Sequence, residues 1–175
     1  STIATVLTIA QTLSDTQLLG QTFAEIGNLK RDQTHFEESL AAYQRALVQF
    51  QQRNDNKAQA NTLIAIGGVY HSMGELDQAL PPYEAARKLA TASDDAALLS
   101  ESLMDAGIVY RDLAQYDRAL ETFQAALKVI AKTGDVAMQT RALENVGGGR
   151  QARPRDFFLT NVHDRLVLLK RRSDA

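Results

Sequence analysis

Three histidines, His35, His71 and His163, are the side chains most suited to holding a metal or moving a proton, and their spacing matches no HExxH or other ligand pattern. The chain has no cysteine, so no thiolate completes a zinc site and no disulfide forms. The adjacent carboxylates Glu37-Glu38 and Asp94-Asp95 stand at the starts of helical patterns, where capping and the helix dipole account for them without acid–base catalysis. No nucleophile is paired with a base. Gly147, Gly148 and Gly149 before Arg150 lack the GxxxxGK[ST] spacing of a phosphate cradle and follow no strand. They read as a helix C-terminus with a left-handed cap, or as a scar in the sequence. The expectation is a chain that is not an enzyme, with no cofactor and no metal site.

The elements that carry these residues repeat. Asp15, Asp55, Asp95 and Asp135 are spaced 40 residues apart, and so are Gly27, Gly67, Gly107 and Gly147. A period of 20 to 50 residues marks a solenoid, in which each unit buries its apolar face against its neighbours. Within a unit the apolar spacing is helical: one segment runs through Leu63, Ile66, Gly67 and Tyr70, a second through Leu76, Ala79, Leu80, Tyr83 and Ala86. The aspartates are placed as N-caps, and Gly74 marks the turn between the two helices. Pro81 and Pro82 fall inside the second helix, where each removes a hydrogen bond and together they should bend it toward solvent between Gln78 and Tyr83.

These residues resemble the tetratricopeptide repeat, whose signature places a large apolar residue, an apolar–small pair, an aromatic, then Ala, aromatic and Ala at fixed offsets. Leu63, Ile66-Gly67, Tyr70, Ala79, Tyr83 and Ala86 occupy those offsets, and Leu103, Ala106-Gly107, Tyr110, Ala119, Phe123 and Ala126 repeat them. An earlier unit has Phe23, Ile26-Gly27, Tyr43 and Ala46, but Lys30 replaces the first-helix aromatic and Ser39 the second-helix alanine. Gln51, Thr91 and Ala131 stand where the 34-residue repeat has proline. The pattern is similar to the 40-residue variant of Pins-type G-protein-signalling modulators, and resembles kinesin light chain and bacterial multi-repeat proteins. The resemblance implies an all-α, right-handed superhelical solenoid of antiparallel helix pairs.

In this register residues 1–13, with Ile3, Val6 and Ala10 on the packing face, are the second helix of a partial repeat. Full units span 14–54, 55–94 and 95–134, and 135–149, with Leu143 and Val146, forms the first helix of a fourth. The start in mid-repeat suggests a piece of a longer array. Residues 150–175 form a divergent basic tail, with Asp156 as N-cap after Pro154 and Phe158, Val162, Leu166 and Leu169 at helical spacing. It reads as a capping helix, with a groove-lying segment or a basic contact to membrane or nucleic acid as alternatives. That tail holds seven Lys or Arg against three Asp, so the net charge of −2 divides into +4 for the tail and −6 for residues 1–149. An acidic body disfavours nucleic-acid binding by the repeats. No stretch is long and apolar enough for a membrane span, and a cytoplasmic location is expected.

The resemblance implies that first helices line a concave groove that recognises a peptide or helix. The groove positions are Gln21, Ala24, Glu25, Asn28 and Arg31, then Asn61, Ile64, Ala65, Gly68 and His71, then Glu101, Met104, Asp105, Ile108 and Arg111. Apolar residues there are expected not to serve the core, so Ile64, Met104 and Ile108 form a strip for apolar side chains. Glu101 with Asp105 favours a basic group, while Asn28 with Arg31 holds a ligand's backbone. Chaperone-binding members of the family clamp a C-terminal carboxylate with Lys, Asn and Arg. Only Asn28 matches, and Ala24, Ala65, Glu101 and Asp105 at the other clamp positions exclude that ligand. The expected partner is an amphipathic, partly basic peptide or protein. A structural or regulatory array within a larger protein, and self-association through repeat ends or tail, are the alternatives.

Overall fold

A computed structural model describes residues 2–133 together with 139, 140 and 142. Among them are seven helices and no strand: α1 (Thr2–Leu13), α2 (Thr16–Asp32), α3 (Phe36–Gln52), α4 (Asn56–Ser72), α5 (Leu76–Ala92), α6 (Ala96–Asp112) and α7 (Tyr116–Thr133). From α2 onward a helix begins every 20 residues, and each connection between α2 and α7 is three residues long. The 40-residue sequence period is therefore two structural half-periods.

Local chemistry stops α1 to α6 in the same way. Ser14, Thr34, Asn54, Gly74, Asp94 and Ala114 all have positive φ. The residue that follows each one donates its backbone N–H to a carbonyl five residues back, as in His35 to Lys30 and Glu75 to Tyr70. The positive-φ residue itself donates to the carbonyl three residues back, as in Thr34 to Arg31. That pair of bonds is the Schellman motif, which satisfies the orphan carbonyls of a helix end. The next helix starts at once. Asp15 accepts from Gln17 and Leu18, Asp55 from Ala58 and Asp95 from Leu98, so α2, α4 and α6 carry side-chain caps. His35 and Glu75, before α3 and α5, make no such bond.

The helices pack as consecutive antiparallel pairs, α2 with α3, α4 with α5 and α6 with α7. Glycine permits the close approach within each pair. A Cβ added at Gly27 would lie 2.6 Å from the Tyr43 ring, one at Gly67 2.7 Å from Tyr83, and one at Gly107 2.6 Å from Phe123. Ala46, Ala86 and Ala126 are fully buried beside those aromatics. Pairs then stack, α3 against α4 and α5 against α6, while α2 touches α4 and α4 touches α6. The first helices thus form one continuous layer. A cluster of Ile64, Tyr83, Leu98 and Val109 crosses from the α4–α5 pair to α6, so no pair has a core wholly its own.

Helix α5 continues unbroken through Pro81 and Pro82. The carbonyls that lose their donors belong to Asp77 and Gln78, which are exposed residues. The breaks expected at Asp15, Gly74 and Asp95 are present; that at Asp135 lies outside the described residues. So do most of the expected fourth helix, the triple glycine and the tail with His163, apart from helical residues 139, 140 and 142.

Candidate functional site

All the candidate residues lie on α2, α4 and α6, the layer of first helices, at spacings of three and four that keep each set on one helix face. On α2, Asn28 and Arg31 are half-buried. The Asn28 side chain accepts a hydrogen bond of 2.6 Å from the Tyr43 hydroxyl, and Arg31 bonds Asp32 at 3.2 Å. On α4, Asn61 is exposed and Gly68 and His71 are half-buried. On α6, Glu101, Asp105, Ile108 and Arg111 are half-buried. The ends of α4 and α6 are joined where a His71 ring nitrogen meets Asp112 Oδ2 at 2.8 Å, and Arg111 pairs with the other oxygen of Asp112 at 3.1 Å.

The apolar strip is narrower than its spacing suggests. Ile64 is 8% exposed and Met104 only 3%, each within a packed cluster, Met104 together with Leu103, Phe123 and Ala142. The expectation that apolar residues on this face stay out of the core is therefore corrected for both. A neighbouring helix covers the flank of each first helix, and side chains on that flank become interior. Ile108 remains half-buried at the margin of its cluster, and Ala65 and Gly68 of α4 are half-buried as well.

A residue outside the helical stripe belongs to the same place. Tyr83, on α5, is 3% exposed, and its hydroxyl lies 3.8 Å from where a Cβ on Gly68 would stand. Burial pushes its phenol above the ordinary value of 10.0, and the negative charges of Asp105 and Glu101 push it further. Both carboxylates are on α6, which packs against α5. The signal was available in the 40-residue register, in which Gly68 stands where Asn28 binds Tyr43, leaving Tyr83 without that partner.

A tetratricopeptide repeat family model matches residues 18–92 and again residues 59–132. The chain belongs to the tetratricopeptide repeat family. No curated protein matches it in sequence. Among solved structures it is similar to a signal transduction ATPase with numerous domains and a tetratricopeptide repeat sensor from Pyrococcus horikoshii, with TM-score 0.77 and 18% identity over 99% of this chain and 27% of that one. It is similar to aspartyl phosphate phosphatase F from Bacillus subtilis, with TM-score 0.75 and 18% identity over 91% of this chain and 41% of the other. The N-terminal domain of stress-induced protein-1 from C. elegans gives TM-score 0.62 and 15% identity over 75% of this chain and 97% of that domain. The chain thus spans about two fifths of the phosphatase, and at these identities the likeness is one of fold.

The two departures of residues 14–54 from the tetratricopeptide signature, Ser39 and Lys30, have local reasons. Ser39 is fully buried and its hydroxyl donates to the Gly27 carbonyl at 2.8 Å, which satisfies a polar group where other units place alanine. Lys30, in place of an aromatic, reaches Glu38 at 2.6 Å and ties α2 to α3. Among the described residues no helix is long and apolar enough to cross a membrane.

Proposed function

We propose that the first-helix layer of this tetratricopeptide array binds an extended peptide or a helix of a partner protein, without catalysis. The observation that carries this reading is the composition of the face across its three helices. Ala65 and Gly68 on α4 and Ile108 on α6 are uncharged and half-buried, while Arg31 on α2 and Glu101, Asp105 and Arg111 on α6 supply the charge. Uncharged and charged surface together suit an amphipathic ligand, with contact area supplying affinity and the charged groups fixing direction. Asn28, Arg31, Asn61, Gly68, His71, Glu101, Asp105, Ile108 and Arg111 are the contact residues of this proposal; Ile64 and Met104 support the face from beneath. Selection of random 12-residue peptides against the chain, followed by amide hydrogen exchange on the complex, tests it. Protection concentrated in α2, α4 and α6 supports the face. Protection confined to α3, α5 and α7 overturns it.

Self-association is a second reading, favoured by Ile9 and Leu13 of α1, which are 48% and 68% exposed. Two large apolar side chains one turn apart offer a contact to a second copy. Sedimentation equilibrium of the chain and of Leu13→Asp separates the readings: a dimer that the substitution dissociates supports association, and a monomer at all concentrations rejects it. A sensor or regulatory array in a longer protein would use the same face.

A further inference from the structure

We propose that Tyr83, Glu101 and Asp105 form, above Gly68, a subsite for a basic side chain of the bound peptide, either an arginine guanidinium or a lysine ammonium. This rests on the peptide-binding reading of the first-helix face. Three copies of one position distinguish the site. In the α2–α3 pair the buried tyrosine hydroxyl is occupied, since Tyr43 donates to Asn28. In the α6–α7 pair the aromatic is Phe123, which has no hydroxyl, and Ile108 stands in the Asn28 position. In the α4–α5 pair the hydroxyl is present and its partner is replaced by Gly68. Tyr83 is 3% exposed and makes no hydrogen bond among the described residues, yet no fully enclosed side-chain oxygen lacks a partner. The hydroxyl therefore reaches the surface of the layer, at the opening left by Gly68.

The chemistry of the opening is selective. Added at Gly68, a Cβ would meet nothing nearer than the Tyr83 hydroxyl at 3.8 Å, so the space beside the phenol is not filled by α4 itself. Glu101 and Asp105 are one turn apart on α6, which packs against both α4 and α5, and their negative charge acts on the same hydroxyl; Glu101 enters none of the ion pairs among the described residues. A phenol oxygen and carboxylates together accept several hydrogen bonds at once, and a ligand that donates several while carrying positive charge is a guanidinium or an ammonium. An anionic ligand group would be repelled, and an apolar one would leave the phenol unsatisfied.

The test uses N-acetylarginine amide and its neutral isostere N-acetylcitrulline amide, each titrated into the 15N-labelled chain. Arginine is expected to shift the amides of Gly68 and Glu101 with a dissociation constant on the order of millimolar, as suits a single small group. Citrulline is expected to leave them in place. Glu101→Gln should weaken the arginine response at least about fivefold. Gly68→Asn should abolish it, by giving Tyr83 the partner that Asn28 gives Tyr43, and Tyr83→Phe checks the same hydroxyl should that variant not fold. Equal responses to arginine and citrulline, a response spread over the acidic surface, or an undiminished response in folded Gly68→Asn or Tyr83→Phe would each overturn the subsite. The two readings fail separately. Peptides that protect α2, α4 and α6 while arginine leaves Gly68 unmoved retain the face and remove the subsite; localised arginine binding without any such peptide does the reverse.

Discussion

Gly107 and Phe123 stand so close that a single added carbon on the glycine would lie 2.6 Å from the ring. Phe123 is 1% exposed and cannot swing into solvent, so the contact must be relieved by moving α6 away from α7. Gly107→Ala is expected to cost roughly 1 to 3 kcal/mol in urea unfolding despite the better helix propensity of alanine. Combined with Phe123→Leu, the two costs should sum to less than their separate values, because the smaller side chain makes room. Simple additivity would show that the crossing is not close.

Met104 illustrates how burial divides one helical stripe. It is 3% exposed within the cluster that contains Phe123 and Ile130, so Met104→Glu places a carboxylate among apolar side chains. A loss of about 3 kcal/mol or more in unfolding free energy is expected. Asn61→Glu, at an exposed position of the same layer, should change stability by less than about 0.5 kcal/mol. Similar effects of the two would contradict the packing of the layer.

The helix-end motif makes a paired prediction. Ala114 has φ of 58° and Gly74 has φ of 77°, at equivalent positions of the 20-residue half-period. An L-residue in this region is strained by roughly 1 kcal/mol where glycine is not. Ala114→Gly should therefore raise the stability of the chain and Gly74→Ala lower it, each by about 1 kcal/mol. Thermal unfolding reads both, and shifts of the same sign would refute the common motif.

Asp95 ties stability to pH. The backbone N–H of Leu98 lowers its carboxyl below the ordinary value of 3.8, and Lys57, 3.2 Å away, lowers it further. A depressed folded-state value means that the cap stabilises above the unfolded value and is lost as pH falls through the folded one. Asp95→Ala is expected to cost about 1 kcal/mol at pH 7. The gap between parent and variant should close as the pH is lowered below 3.8. A gap independent of pH would show that the carboxylate is not the cap.

Much of the architecture is legible in the residues because it depends on types that recur. Gly27, Gly67 and Gly107 mark crossings, and Asp15, Asp55 and Asp95 mark helix starts, since few other residues meet those demands. The 20-residue half-period is hidden. Its markers, Ser14, Thr34, Asn54, Gly74, Asp94 and Ala114, share a backbone conformation and no common side chain. At the candidate site, helical spacing assigns residues to the right helix and face but does not tell Met104 from Ile108, because burial there is decided by the neighbouring helix. Tyr83 escapes a reading of the first helices altogether. It comes from α5 and meets the first-helix layer at Gly67 and Gly68.

Whether the first-helix layer is the binding face is tested most directly by the affinity of a selected peptide for two serine variants. Ile108→Ser removes an uncharged contact from α6, while Val48→Ser alters α3, where Val48 is 48% exposed. Covering one large apolar side chain contributes about 1.5 to 3 kcal/mol, so Ile108→Ser should raise the dissociation constant at least about tenfold with helicity retained. Val48→Ser should leave it within about twofold of the parent. An unchanged dissociation constant in Ile108→Ser, or a tenfold loss in Val48→Ser, would contradict the assignment and move recognition to the second helices.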